Sequence, residues 1–244
     1  MNQASSPLLQ LSGVHTHIGA YHILHGVDLI VPQGEVTMLL GRNGAGKTTT
    51  LRTIMGLWQA GKGSIRFGRQ DITRLATPAI AQLNIAYVPE NMGIFADLTV
   101  RENLLLAARA AAHAGQMDAA RLDWIYQLFP AVQKFWNAPA GKLSGGQKQM
   151  VAVARAIVEP RDLLIVDEPS KGLAPAIINN MIEAFAQLKA SGVSILLVEQ
   201  NIDFAKRLGD GVAVMDNGRV IHAGRMADLA ADAQLQQTLL GLSL

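Results

Sequence analysis

Short apolar runs recur along the chain and separate longer segments of a different period. The first region, residues 8–40, has a strand-like pattern and ends in the run 36–40, which is apolar apart from one threonine. Such runs have the length and composition of strands buried in a sheet. We therefore predict further strands at residues 64–67, 85–88, 163–166, 193–198, 212–215 and 219–222.

The longer segments place apolar residues at every third or fourth position, which predicts helices with one buried face. We predict helices at residues 47–56, 100–112, 117–129, 175–189 and 201–208, and one that begins after Ser144. Two helices start with a capping box, formed by Thr99 with Glu102 and by Ser144 with Gln147. Pro130 is expected to end the helix before it.

The order of these elements predicts the fold. Asn217 and Gly218 stand between the last two strands, where this dipeptide favours the type I′ turn of a hairpin. Strands and helices alternate, with antiparallel pieces at the start and a helical insertion from about residue 95 to 143. We expect an α/β fold, in which a mixed sheet is flanked by helices and carries an N-terminal antiparallel β subdomain and the inserted helical subdomain.

Composition narrows the possible functions. Half of the 244 residues are apolar, so a large core is possible, and the absence of cysteine excludes disulfides, thiolate metal sites and cysteine nucleophiles. The net charge of +2 is too balanced for a dominant nucleic-acid surface. No window has the roughly 20 uncharged apolar residues of a spanning helix, and residues 1–7 lack the features of a signal peptide. We expect the chain to stay in the cytoplasm.

A glycine-rich loop between a strand and a helix carries the clearest chemical signal. Its residues are Gly41, Arg42, Asn43, Gly44, Ala45, Gly46, Lys47 and Thr48, which fit G-x-x-x-x-G-K-[ST]. Glycines let backbone N–H groups approach a phosphate, and the following helix adds its positive end. Lys47 is expected to reach the β- and γ-phosphates and Thr48 to bind Mg²⁺. The same contacts would explain Thr49 in the first helical turn, with ordinary capping as the alternative.

Two carboxylates follow a buried strand. Asp167 and Glu168 come directly after the run 163–166, at the end of the strand where α/β sheets bind ligands. Successive strand residues point to opposite faces, so we expect different roles for the two acids. Asp167 suits a Mg²⁺ site, and Glu168 suits orienting or deprotonating an attacking water.

A third motif, Leu143-Ser144-Gly145-Gly146-Gln147, opens a helix shortly before the acidic strand. The loop, the helical insertion, this motif and the Asp-Glu strand resemble, in that order, the nucleotide-binding subunits of ATP-binding cassette (ABC) transporters. The resemblance runs from about residue 8 to the end. It implies a P-loop NTPase core at about 8–94 and 144–244 within one ATPase domain, residues 1–244, with the helical subdomain at about 95–143.

The family works as a sandwich of two ATPase domains. The resemblance implies that Ser144, Gly145, Gly146 and Gln147 contact the nucleotide held by the partner's phosphate loop. A capped helix N-terminus without obstructing side chains is physically suited to that contact. Whether the partner is a second copy or a related subunit stays open, and a related subunit is the favoured expectation.

Three departures from the family pattern narrow the resemblance. Glu90 stands where glutamine is usual, Ala174 where aspartate is common, and Gln200 where a switch histidine is usual. This set looks like an ATPase subunit of the branched-chain amino acid importers, with the urea and amide importers as close relatives. Glu90 retains an oxygen ligand for Mg²⁺. Gln200 cannot become cationic, so we hypothesise slower hydrolysis than at a histidine-bearing site.

The base contact is less defined. The family stacks adenine on an aromatic residue, but the corresponding position here is Ile18, with His17 and Tyr21 as neighbours that could substitute. The histidines, His113 among them, show no spacing typical of a metal site. Residues 91–95 are largely apolar, and by resemblance they face the membrane subunit, although they could equally belong to the core of the insertion.

These features together predict an ATP- and Mg²⁺-dependent ATPase that powers import of a small polar nutrient, with branched-chain or other amino acids as the favoured cargo. The implied partners are two transmembrane permease subunits and, indirectly, an extracytoplasmic binding protein, and no nucleic acid is expected. The chain would then lie at the cytoplasmic face of the cell membrane. Two rival classes are a cassette ATPase without a transport role and a P-loop kinase, which would have no use for Ser144–Gly146.

Overall fold

The computed structural model describes residues 7–110 and 117–241. Its strands, in chain order, are β1 (Pro7–Ile18), β2 (Tyr21–Pro32), β3 (Val36–Leu40), β4 (Ala60–Phe67), β5 (Gln70–Asp71), β6 (Ile85–Val88), β7 (Leu163–Asp167), β8 (Ser194–Glu199), β9 (Gly211–Asp216) and β10 (Arg219–Arg225). Four of them form an antiparallel sheet in the order β2-β1-β4-β5. The other six form a mixed sheet in the order β10-β9-β3-β8-β7-β6, in which only β9 and β10 pair antiparallel.

The helices lie between and after these strands, and the short α2 and α5 are helices that the periodicity did not predict. They are α1 (Lys47–Ile54), α2 (Thr77–Ala81), α3 (Val100–Ala110), α4 (Ala119–Leu128), α5 (Pro130–Lys134), α6 (Gly145–Ala156), α7 (Pro175–Ala190), α8 (Ile202–Leu208), α9 (Met226–Ala231) and α10 (Ala233–Leu240). Within the described ranges, none of them is long and apolar enough to cross a membrane. The predicted α/β class with its mixed and antiparallel sheets is confirmed.

The central strands β3, β7 and β8 are buried on both faces. In β7, Leu164 and Val166 pack into a cluster shared with the helices from α3 to α9, whereas Leu163 and Ile165 pack into a second cluster with the antiparallel sheet. Each fully buried aliphatic side chain of this kind stabilises the fold by about 1.5–3 kcal/mol. The two clusters hold the strands rigidly, so the loops at their carboxyl ends start from fixed positions.

Turns and caps largely follow the sequence. Both capping boxes are present, with Thr99 and Glu102 hydrogen-bonded to each other's backbone N–H. The turn between β9 and β10 has positive φ at Asn217 and Gly218 (45° and 73°), as a type I′ turn requires.

Several helix bounds differ from the expectation. The helix expected over residues 117–129 ends at Leu128, before Pro130 as expected; Pro130 also begins the short α5, because a first-turn residue has no helical partner for its N–H and proline lacks one. The helix expected from residue 117 begins at Ala119, where the side chain of Asp118 caps it. The expected end of α3 at residues 111–112, like His113, lies outside the described residues.

The helical segment leaves and returns to the core at one place. The backbone of Leu98 accepts a hydrogen bond from Ala140 at 2.8 Å, and that of Ala96 accepts one from Gly141 at 2.8 Å. Thr99 also pairs with Pro139 as an isolated antiparallel bridge. The two ends of the predicted helical insertion are therefore joined by backbone hydrogen bonds.

Candidate active site

The loop between β3 and α1 contains two glycines with positive φ and little room for a side chain. Gly41 has φ 148°, and a Cβ there would collide with the carbonyl oxygen of Met215. Gly46 has φ 105° and occupies the position before α1, where it leaves the first N–H groups of the helix unobstructed. The loop thus presents convergent N–H donors at a positive helix end, which is an anion-binding arrangement.

The remaining predicted loop residues surround this turn. Arg42, Asn43 and Gly44 are exposed, Ala45 is buried and Thr49 is half-buried. Loop geometry is held by the N–H of Ala45, which donates to the Arg42 carbonyl at 3.2 Å. The exposed loop residues are therefore accessible from solvent, while the Ala45–Arg42 hydrogen bond fixes the loop backbone.

Lys47 begins α1 and is buried, with 5% of its surface exposed. Its Nζ donates to the carbonyl oxygens of Gly41 at 2.8 Å and Arg42 at 3.0 Å. Burial lowers the pKa of Lys47, and the nearby Glu168 partly opposes this shift. The ammonium is thus held over the loop by neutral acceptors, which an anionic ligand can replace.

Thr48 and Asp167 meet across the base of the loop. The Thr48 hydroxyl donates to Asp167 Oδ1 at 3.2 Å, and the Tyr87 hydroxyl lies 3.5 Å from Oδ2. Asp167 is 1% exposed, and burial raises the pKa of its carboxyl group despite the Thr48 hydrogen bond. Burial also raises the pKa of Tyr87 to about 12, so its hydroxyl stays protonated. Sequence reasoning missed Tyr87, whose position on β6 next to β7 was the available signal.

Glu168 adopts a left-handed backbone conformation with φ 50°, which costs a residue with a Cβ about 1 kcal/mol. Because β7 ends at Asp167, the strand pleat that we expected to separate the two acids does not extend to Glu168. Gln200 Nε2 donates to Glu168 Oε1 at 2.5 Å and to Asn43 Oδ1 at 2.8 Å. The Glu168 carboxylate is also 3.8 Å from Lys47 Nζ. Residues far apart in the sequence thus converge on the loop.

Glu90 is joined to this cluster through Lys171, which sequence reasoning missed. Lys171 Nζ lies 2.6 Å from Glu90 Oε1 and 3.4 Å from Glu168 Oε2. The hydrogen bond that Lys171 donates to Glu90 raises the pKa of Lys171. The negative charge of Glu90 is therefore offset by a lysine. Nothing in the chain pattern had indicated this pair, because the two residues lie on loops after different strands.

Within this chain, the Ser144 motif and the phosphate loop are separate sites. Ser144 and Gln147 hydrogen-bond reciprocally at the start of α6, and Gly145 is open to solvent. Gly146 is buried, and a Cβ there would lie 2.9 Å from the Ile177 side chain. Within the described part of the chain, no hydrogen bond joins Ser144 or Gln147 to the phosphate loop.

The candidates for the base contact lie at the tip of the β1–β2 hairpin. Ile18 pairs with Tyr21, whose side chain is 75% exposed, and His17 stacks on His22 with ring centroids 4.2 Å apart. His15 and His25 extend the same cluster. Across residues 7–110 and 117–241, no group of three or more His, Asp or Glu side chains could hold a metal ion.

A comparison with protein-family models matches residues 24–171 to the family described as ABC transporter. The match includes the phosphate loop, the start of α6 and the acidic pair, and it covers more than half of the chain. The chain belongs to the ABC transporter family. It is therefore an ATP-binding cassette, a class of ATPase.

Related proteins cover almost the whole cassette. It is 38% identical to the high-affinity branched-chain amino acid transport ATP-binding protein BraG of Pseudomonas aeruginosa, across 96% of this chain and 100% of that one. It is 34% identical to the probable branched-chain amino acid transport ATP-binding protein LivF of Archaeoglobus fulgidus, across 91% and 93%. The crystal structure of the ADP conformation of another ABC transporter cassette superposes with TM-score 0.83 at 25% identity, across 98% and 100%.

Proposed function

We propose that this cassette hydrolyses ATP to power an importer of branched-chain or other amino acids. The observation that carries the proposal is the similarity to the Pseudomonas protein, which extends over that relative's full length. The importer would contain two permease subunits and take its cargo from an extracytoplasmic binding protein. Contact with the permeases would hold the cassette at the cytoplasmic face of the cell membrane.

In the proposed mechanism, the loop from Gly41 to Thr49 binds the triphosphate. The N–H groups at the start of α1 donate to phosphate oxygens, and Lys47 exchanges its two carbonyl acceptors for the β- and γ-phosphates. This exchange gives a buried ammonium an anionic partner, which removes the burial cost expressed in its lowered pKa. ATP binding is thereby favoured by electrostatics already present in the chain.

The site has the donor chemistry for Mg²⁺. Thr48 and Asp167 offer hard oxygen ligands 3.2 Å apart, and a buried carboxylate with a raised pKa gains from meeting a cation. When bound, Mg²⁺ neutralises charge on the transferring phosphoryl group. Glu90 is a further oxygen ligand in the proposal, and it must first release Lys171.

Hydrolysis is assigned to Glu168 and Gln200. The Glu168 carboxylate orients the attacking water or accepts its proton. The Gln200 amide hydrogen-bonds both this carboxylate and the loop residue Asn43, and so fixes their relative positions. On nucleotide binding, the Nε2 hydrogen that Gln200 donates to Asn43 would instead be donated to the γ-phosphate as a neutral hydrogen bond. We expect slower turnover than with a histidine, which can carry a positive charge.

The second half of the site comes from a partner in this proposal. ABC cassettes dimerise, and Ser144, Gly145, Gly146 and Gln147 are proposed to contact the nucleotide in the partner's loop. The exposed Gly145 and the free N-terminus of α6 support this role. A related ATPase subunit is the proposed partner, which gives a heterodimer.

Residues 91–95 are proposed to receive the permease. Arg155 donates to the carbonyl oxygens of Gly93 at 2.6 Å and Met92 at 3.1 Å, which fixes the turn. Phe95 remains 52% exposed, whereas Met92 and Ile94 pack against the core. An exposed aromatic on a fixed turn suits an apolar partner helix. The division into a core at about 8–94 and 144–244 and a helical subdomain at about 95–143 belongs to the same proposal.

The test is purification of the tagged chain from membranes of its own cells, followed by uptake assays in vesicles. We expect two permeases to co-purify, and labelled leucine to enter with ATP hydrolysis in the parent but not in the Glu168→Gln variant. Uptake of urea or an amide without amino acid uptake would assign the alternative cargo. Absence of membrane proteins from the complex, or a phosphorylated small-molecule product, would contradict the transport role.

A further inference from the structure

Glu199 is a buried carboxylate to which the mechanism above gives no role. It is the last residue of β8, directly before Gln200, and its surface is 2% exposed. Burial raises the pKa of its carboxyl group. Within the described ranges, Glu199 forms no salt bridge, so its charge depends on hydrogen-bond donors alone.

Those donors come from two loops. Oε1 accepts the backbone N–H of Ser170 at 2.9 Å. Oε2 accepts the Ser170 hydroxyl at 2.9 Å and the backbone N–H groups of Gln200 and Asn201 at 3.2 and 3.3 Å. One carboxylate therefore ties the loop after β7 to the loop after β8.

The same two loops carry the hydrolytic pair. Ser170 is two residues after Glu168, and the side chains of Glu168 and Gln200 are hydrogen-bonded at 2.5 Å. The N–H of Glu168 also donates to the Val198 carbonyl at 2.9 Å. A displacement of either loop would separate Glu168 from Gln200. The buried side chain of Glu199 links the two loops through its hydrogen bonds.

We propose that Glu199 is a positioning residue that holds Glu168 and Gln200 in the arrangement needed for ATP hydrolysis. The inference rests on the roles proposed above for those two residues. Glu199 touches neither nucleotide nor water in this account and acts through the two loops.

This role requires the negative charge and the two acceptor oxygens of the Glu199 carboxylate as well as its size. A glutamine at position 199 has the same shape but only one acceptor oxygen. If its amide NH₂ replaces Oε1, it faces the Ser170 N–H, and if it replaces Oε2, it faces two backbone N–H groups. In either orientation at least one buried donor meets another donor, which is a costly arrangement that the loops relieve by moving apart.

The test measures kcat and KM for ATP in the assembled transporter, together with the thermal unfolding midpoint. For Glu199→Gln we expect kcat to fall about tenfold or more, since small misplacements of catalytic groups are expensive, with KM within about twofold. Ser170→Ala removes one of the four hydrogen bonds and keeps the backbone contact. It should lower kcat about two- to tenfold, and it tests the same link should Glu199→Gln fail to fold.

The matched control is Asp210→Asn, a carboxylate-to-amide change at the opposite end of the same sheet. Asp210 also accepts a backbone N–H, from Val36 at 2.9 Å. We expect Asp210→Asn to shift the unfolding midpoint but to leave kcat unchanged. If it lowers kcat as much as Glu199→Gln does at an equal shift in midpoint, the role of Glu199 is structural only and the inference is wrong.

The Glu168→Gln variant distinguishes failure of this inference from failure of the proposed function. If Glu199→Gln and Ser170→Ala keep the parent kcat while Glu168→Gln is inactive, the positioning role alone is overturned. If Glu168→Gln itself keeps the parent kcat, the proposed hydrolytic role fails, and the positioning role fails with it.

Discussion

The two ends of the six-stranded sheet hold their charged side chains in contrasting ways. At the amino end, Asp210 pairs directly with Lys189 at 2.6 Å and accepts a backbone N–H. At the carboxyl end, Lys47 is buried and Glu168 is half-buried, yet their closest charged atoms are 3.8 Å apart and Lys47 donates to backbone carbonyls. The direct pair at this end, Lys171 with Glu90 at 2.6 Å, is exposed to solvent, so the buried Lys47 keeps only neutral acceptors at hydrogen-bond distance among the described residues.

Burial disfavours charged side chains at the carboxyl end. It lowers the pKa of Lys47 and raises that of Asp167, which means that both charged forms are disfavoured by their surroundings. A triphosphate and a cation would relieve both. The buried charges at this end of the sheet are therefore incompletely paired where the ligand is proposed to bind, whereas Lys189 and Asp210 at the other end are paired directly.

Among the variants that leave ATP binding intact, Glu168→Gln has the largest expected effect. Removing the carboxylate should lower kcat about 100-fold or more, the usual contribution of a general base. ATP affinity should stay near that of the parent, because the phosphate contacts of the loop are unchanged. Steady-state hydrolysis and equilibrium ATP binding measure the two quantities, and a parent-like kcat would contradict the assignment.

Asp167→Asn should weaken the response to Mg²⁺ and also stabilise the protein without the metal. The half-saturating Mg²⁺ concentration for hydrolysis should rise about tenfold, as is typical when a metal site loses a supporting group. Because burial raises the pKa of Asp167, its charged form is disfavoured on folding, so removing that charge should raise the unfolding midpoint in Mg²⁺-free buffer. A lower midpoint would show that the charge at this end is already compensated.

Gln200→His should raise turnover of the assembled transporter by about threefold, because a protonated histidine adds positive charge near the γ-phosphate. The gain should be larger at pH 6.5 than at pH 8. Unchanged or reduced turnover would refute the hypothesis that the neutral glutamine makes this site slow.

The smallest effect concerns the histidine cluster on the β1–β2 hairpin. Burial, followed by the neighbouring positive charge of His22, lowers the pKa of both His15 and His25. A base whose pKa is lowered on folding contributes stability that is present above its unfolded pKa and lost as pH falls through the folded value. The thermal unfolding midpoint should therefore fall as the pH drops below about 6.5. It should fall less in the His15→Gln variant. An equal acid shift in parent and variant would exclude His15 as a cause.

The sequence predicted the phosphate loop, the acidic pair and the capped α6 because each depends on neighbours a few residues apart. The spacing and type of nearby residues are sufficient to predict such motifs. Pro130 and Asp118 show the limit of this reasoning, since a proline that ends one helix can start the next, and the cap was found only from the backbone around Ala119.

What the sequence could not predict depends on loops returning to one place. Lys171 meets Glu90 across 81 positions, and Ser170 meets Glu199 across 29. Neither pair has a local pattern. The left-handed conformation of Glu168 was also hidden, because the rule of alternating strand faces applies only while the strand continues.

The most direct test of the account compares two lysines at the two ends of the sheet. Equilibrium ATP binding should weaken about tenfold or more in Lys47→Ala, which loses a charge-assisted contact to phosphate, with hydrolysis abolished. Lys189→Ala should bind and hydrolyse ATP as the parent does. ATP binding and hydrolysis at parent levels in Lys47→Ala would contradict the claim that residues 41–48 hold the nucleotide.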